Sequence, residues 1–187
     1  MRMVASFTLS ALAIASTSHA EETFPACHAP FSDLLSSKTF AVYPALGSAR
    51  SIRPAKPDVR SGQAHLFRTV IRDEARRGPN FAGHFTIIRI GCGAGTVCVA
   101  IADALTGKVY FPKPVRSATY MLVDTGAYEI DRLNFQRDSN LLIVVGTVNE
   151  RPQGYGMYYY RWNSGQLHLL RFVPASKLCG LPKSTQF

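Results

Sequence analysis

Most signatures of enzymatic or membrane-spanning chemistry are missing from this sequence. It has no Cys-x-x-Cys redox pair, no His-Glu-x-x-His helix, no Gly-x-Ser-x-Gly nucleophile turn and no phosphate-binding glycine loop. After residue 20 no apolar run approaches the roughly 20 residues a helix needs to cross a bilayer. No segment is of low complexity, so nothing marks a linker. Acidic residues are few, 12 against 21 Lys and Arg, for a formal net charge of +9. A balance of that sign favours acidic partners, such as anionic envelope polymers, lipid headgroups or an acidic protein.

What stands at the start reads as an export signal. Arg2 supplies a positive n-region and Met3 to Ala15 an apolar core. Ser18 and Ala20 form the small-x-small pair that a signal peptidase reads. Cleavage is expected after Ala20, placing a mature chain from Glu21 in the periplasm or outside the cell. The apolar run is too short for an anchor, and the first cysteine, Cys27, stands too far on for lipidation. Removing 20 of 187 residues leaves 167, which suits one domain with its own core. Losing Arg2 lowers the charge to +8, and export turns that charge away from nucleic acid.

Four cysteines, Cys27, Cys92, Cys98 and Cys179, follow the signal. An even count in an exported chain reads as disulfides, with three possible connectivities. Cys92 and Cys98 flank a glycine-bearing turn, while Cys27 and Cys179 sit near the two mature termini. The expected pairs are therefore Cys92–Cys98 and Cys27–Cys179, contributing about 2.4 and roughly 5 kcal/mol by loop closure. A metal site built on Cys92 and Cys98 fits less well, because their spacing exceeds the usual ligand spacing. No cofactor is implied.

Along the chain, residues 21–63 read as an irregular entry segment. It holds one helical turn at Phe31–Leu35, a β-prone stretch at Thr39–Tyr43, and a basic Pro-rich stretch from Pro44 to Gly62. Residues 64–187 complete the same domain. Leu66, Phe67, Val70, Ile71 and Ala75 recur at helical spacing, predicting one helix over Ala64–Arg77 that stops at Gly78-Pro79. Strands are predicted at Phe81–Ile90, Val97–Asp103, Lys108–Pro112, Thr119–Val123, Glu129–Phe135, Leu141–Thr147, Tyr155–Trp162 and Gln166–Val173. Three of the connections are short hairpin turns. The fold class is α+β, a curved antiparallel sheet of successive hairpins with one principal helix packed on it and disulfide staples. A complete propeller needs more than the roughly 100 β residues present.

The stretch Asn80-Phe81-Ala82-Gly83-His84, then Gly91-Cys92-Gly93 with Cys98, then Asp103-Ala104-Leu105-Thr106-Gly107-Lys108-Val109 carries a resemblance. It resembles a group of small uncharacterised bacterial exported proteins sharing Asn-Phe-Ala-Gly-(His/Tyr), Gly-Cys-Gly and Asp-x-x-Thr-Gly-Lys-Val. The resemblance covers Gly78 to Tyr110 and implies a shared fold core. It implies no activity and no functional residues.

Three groups of side chains are candidates for function. His84 and Asp103, on neighbouring strands, form a conceivable acid–base couple. A hydrogen-bonded structural histidine is the simpler reading. Arg68, Arg72 and Arg76 recur every four residues and stack along one helix face, where a solvated surface is the simpler reading. Tyr158, Tyr160 and Trp162 alternate on one strand face, with Met157, Tyr159 and Arg161 on the other. One set should enter the core; an aromatic–arginine surface on the other is the functional reading, and ordinary sheet packing is the simpler one. The leading reading is a small exported binding protein that engages another protein, inhibitor- or immunity-like. An envelope hydrolase acting on peptidoglycan through His84 and Asp103 is the alternative. A glycan- or anion-binding module using the aromatic strand and the arginine ridge is the third.

Overall fold

The computed structural model describes residues 34–46, 53–120, 130–151 and 154–178. Its helices are α1 (Ser37–Ala41), α2 (Gly62–Leu66), α3 (Arg68–Arg76) and α4 (Ala175–Leu178). The strands are β1 (Phe85–Gly91), β2 (Thr96–Asp103), β3 (Val109–Tyr110) and β4 (Ser117–Thr119), then β5 (Leu133–Phe135), β6 (Leu141–Val148), β7 (Gly156–Asn163) and β8 (Gln166–Pro174). All eight belong to one antiparallel sheet of order β1-β2-β4-β6-β7-β8, with β3 beside β2 and β5 beside β6. The halves β1–β2–β3 and β5–β6–β7–β8 join through the short strand β4, which pairs with β6 only at Ala118↔Val148 and Thr119↔Thr147.

Alternation along the strands assigns the layers. Ile87, Val99 and Ile101 of the first half share one apolar cluster with Leu142, Val144, Tyr160 and Trp162 of the second. The halves therefore face each other across a common core. The other face of β1 and β2, carrying Ile88, Ile90, Ala100 and Ala102, packs on Ile71 and Ala75 of α3. The other face of β6 and β7, carrying Leu141, Ile143, Val145, Met157 and Tyr159, is covered by Phe40 of α1 and Leu178 of α4. Every residue of β6 is buried, as its unbroken apolar run Leu141–Val145 requires.

Several boundaries differ from the sequence expectations. Thr39–Tyr43 was expected as a strand, but Ser37–Ala41 is helical. A one-turn helix lets Phe40 bury into the sheet, while Pro44 and Ala45 bridge to the β5–β6 turn. The helix expected over Ala64–Arg77 breaks at Phe67, whose φ −105° and ψ 20° divide α2 from α3. The strand expected from Phe81 begins only at Phe85, because Ala82 (φ 45°) and Gly83 (φ 82°) turn the chain back on itself. The strand expected over Thr119–Val123 ends at Thr119 within the described residues; positions 121–129 lie outside them. So do Cys27, Cys179 and most of the turn expected at Phe31–Leu35. Cys92 and Cys98 do form a disulfide, which closes the β1–β2 turn. No helix among the described residues is long and apolar enough to cross a membrane.

The β5–β6 turn ties the molecule together. The Ser139 hydroxyl lies 2.8 Å from the Phe40 carbonyl and 3.0 Å from that of Tyr43, and accepts from the Leu141 amide at 3.2 Å. The Ala82 and Gly83 amides donate to the carbonyls of Ser139 and Arg137 at 3.1 and 2.6 Å. The Trp162 amide donates to the Asn140 carbonyl at 2.8 Å.

Candidate functional site

The residues of the Asn80–His84 and Asp103–Lys108 stretches are engaged with backbone. The Asn80 side chain pairs with both backbone groups of Ile87, and the Phe81 and Phe85 backbones bridge each other. Asp103 organises the β2–β3 turn: Oδ1 accepts from the Leu105 amide at 2.8 Å and Oδ2 from the Thr106 hydroxyl at 2.7 Å. The Thr106 hydroxyl oxygen in turn accepts from the Lys108 amide at 3.2 Å. Gly107, at φ 77°, lies so close to the entry segment that a Cβ there would sit 2.2 Å from the Lys56 carbonyl oxygen.

His84 and Asp103 are neighbours, with Nε2 3.7 Å from Oδ1. That distance exceeds hydrogen-bond range. The imidazole instead rests on the Phe85 ring, 4.2 Å between centroids. Asp103 is buried and both its oxygens already accept hydrogen bonds, so its role here is to build the turn.

The arginine ridge lies on the exposed side of α2–α3. Arg76 is paired with Asp73 at 2.5 Å, and Arg68 donates to the His65 carbonyl at 3.2 Å. Near the helix start, a shallow depression of about 370 Å³ is lined by Asp58, Ser61, Gln63, Thr106 and Lys108. Hydrogen bonds from the Arg60 side chain and backbone hold the Asp58 carboxyl down to about 2. Among the described residues, no group of three His, Cys, Asp or Glu is arranged to hold a metal ion.

The aromatic strand packs as an ordinary sheet strand, and the aromatic–arginine surface does not form. Tyr160 and Trp162 are buried between the half-sheets, where Trp162 contacts Phe85 and Tyr110 at 5.1 and 5.4 Å between centroids. Tyr158 is half-buried, its hydroxyl donating to the Gly154 carbonyl at 2.5 Å. On the opposite face Met157 and Tyr159 are buried as well. Neither set forms an open stacking platform, because both faces of β7 are covered; Arg161 alone of the six is exposed.

The surface that sequence reasoning missed is the neighbouring strand. Among the described residues β8 pairs only with β7, so its outer edge has no strand partner there, although the Lys113–Val115 turn packs near its Leu167 end. Five successive residues, His168 to Phe172, are exposed, with Leu169, Leu170 and Phe172 at 54%, 42% and 38%. A bulge places Leu170 between the pairs Tyr160↔Leu169 and Tyr159↔Arg171. The Leu169-Leu170 doublet, which breaks the alternation of a strand, is the signal that marks it.

A two-sided antiparallel sheet with helices on its outer faces and an open apolar edge is thus the class that fold and surface define. No protein-family model matches the chain, and no curated protein or solved structure matches it.

Proposed function

We propose that this chain is an exported binding protein that engages another protein through the β8 edge, in the manner of an inhibitor or immunity module. The observation that supports it most is the run of exposed residues from His168 to Phe172, three of them large and apolar, on an open strand. Such an edge is ordinarily blunted or covered in native proteins. The proposed address is the periplasm or the exterior, after cleavage following Ala20. The Cys92–Cys98 disulfide is compatible with that address. The hydrolase reading has weaker support, since Asp103 is engaged in its turn and His84 lies beyond hydrogen-bond range of it.

Affinity capture from an envelope extract, with the mature chain as bait, tests the reading. The expected result is a stoichiometric partner retained by the wild type and by His84→Ala, and lost from Leu170→Glu. A partner that stays on Leu170→Glu, or the absence of any stoichiometric partner, sinks it.

A further inference from the structure

We infer that the β8 edge recognises an extended segment of its partner in which acidic and apolar residues alternate, and that this segment lies alongside β8. The inference rests on the protein-binding reading above and adds the chemistry of what binds.

The first argument is charge. From Arg151 to Leu178 the sequence contains Arg151, Arg161, Arg171 and Lys177 and not one Asp or Glu. On the outer face of β7 and β8, Arg161 stands in register with His168, and Arg171 with Tyr159. The Arg171 guanidinium lies over the Tyr159 ring, 5.6 Å from its centroid, which holds it in place without neutralising it. No neighbouring carboxylate on either strand offsets these charges. A partner bringing carboxylates to this face supplies them.

The second argument is the apolar anchors. Leu169 and Phe172 stand in register with Tyr160 and Tyr158, on the face toward the core, and yet remain exposed. Phe172 is packed 4.4 Å from the Tyr158 ring and lies close over Gly156, where a Cβ would come within 2.8 Å of it. The phenyl ring is therefore held rigid at the surface, the property of a binding anchor.

The third argument separates occupants. A second copy of this chain would bring Arg171 and Arg161 of both copies together in an acid-free region, at a like-charge cost. An anionic lipid surface would satisfy the arginines but leave the open backbone N–H and C=O groups of β8 without partners in an apolar medium. An extended peptide satisfies backbone and side chains together, by the strand-addition mode. The bulge at Leu170 interrupts the ladder, so the anchors and carboxylates carry much of the selectivity.

Selection from a displayed library of random peptides of about ten residues, the upper length of a strand, tests this on the mature chain. Enriched peptides are expected to be net acidic with apolar residues at alternate positions. A synthetic copy of the strongest should bind about tenfold more weakly to Phe172→Ser and to Arg171→Glu, the scale of losing one anchor. Both positions are exposed, and an unchanged circular dichroism spectrum verifies that the variants are folded. N-methylation of alternate peptide backbone nitrogens should abolish binding. Enrichment of neutral or basic peptides, enrichment that survives both variants, or no enrichment overturns the inference. So does retention on phosphatidylglycerol vesicles without peptide binding, or a dimer in sedimentation that Phe172→Ser dissolves. If the library fails while a captured envelope protein is still lost from Leu170→Glu, this inference alone falls. If capture ignores Leu170, the parent reading falls too.

Discussion

Asn80 and Ile87 hydrogen-bond each other twice, Nδ2 donating to the Ile87 carbonyl at 3.1 Å and the Ile87 amide donating to Oδ1 at 2.8 Å. A side-chain amide here takes the place of a neighbouring strand and closes the outer edge of β1. Asn80→Ala leaves both Ile87 groups without that partner and is expected to cost about 1–3 kcal/mol. Asn80→Asp keeps the acceptor and should cost less. Urea unfolding with an unchanged m-value reads the difference.

Asp103 and His84 make opposite predictions under structural and catalytic roles. Asp103→Ala removes the acceptor for the Leu105 amide and the Thr106 hydroxyl, and should destabilise by about 2 kcal/mol. His84→Ala, which breaks no hydrogen bond of its side chain, should cost clearly less. Thermal melts of the two variants decide; a His84→Ala loss as large as that of Asp103→Ala contradicts the assignment.

Two glycines with positive φ differ in what surrounds them. A Cβ at Gly78 (φ 93°) meets nothing within 4 Å, whereas one at Gly107 (φ 77°) meets the Lys56 carbonyl at 2.2 Å. Gly78→Ala should cost about 1–2 kcal/mol from conformation alone. Gly107→Ala should cost more, because Lys56 must retreat and strain the Ala55–Ala104 and Asp58–Gly107 backbone hydrogen bonds. Equal losses in denaturant titrations would contradict that contact.

Burial, reinforced by the nearby Tyr158 hydroxyl and opposed by Arg151, pushes the Tyr160 phenol up to about 12. A phenol whose folded value is raised contributes stability fully below its ordinary value of about 10. That contribution is lost as pH rises through about 12. Burial raises the Tyr158 and Tyr159 phenols as well, so alkaline titration of phenolate absorbance should show several late-ionising tyrosines in the folded chain, one fewer in Tyr160→Phe. An unchanged late-ionising amplitude in that variant would contradict the assignment.

The hairpins were legible because their signals are local. Asn163-Ser164-Gly165 turns β7 into β8 with Ser164 and Gly165 at φ 50° and 81°, and Gly107 closes the β2–β3 turn. The α3 stripe was legible for the same reason, with Ile71 and Ala75 both buried. What escaped is set by distant partners. The helical conformation of Ser37–Ala41 follows from docking Phe40 on β6 and β7, which overrides the β preference of Thr39-Phe40. The covering of both faces of β7 depends on the two half-sheets and α1 meeting there, and nothing within Tyr155–Trp162 encodes that meeting. The His84–Asp103 proximity was legible from pairing, since Phe85 opposes Asp103. The use of the Asp103 carboxylate by Leu105 and Thr106 is a turn geometry that strand pairing does not reveal.

The ties at Ser139 also set an order of events in time. Ser139 lies 99 residues after Phe40, so a chain emerging from its N-terminus delivers α1 and the Phe40 and Tyr43 carbonyls long before the Ser139 hydroxyl that they meet. Closing so long a loop early is entropically costly, and local hairpins form first. Docking of α1 is therefore expected late, after β6 and β7 have paired. Phe40→Ala should then accelerate unfolding while leaving the folding rate nearly unchanged, a result stopped-flow chevrons read directly. An N-terminal segment that joins last leaves the outer face of β6 and β7 bare until the hairpins are complete.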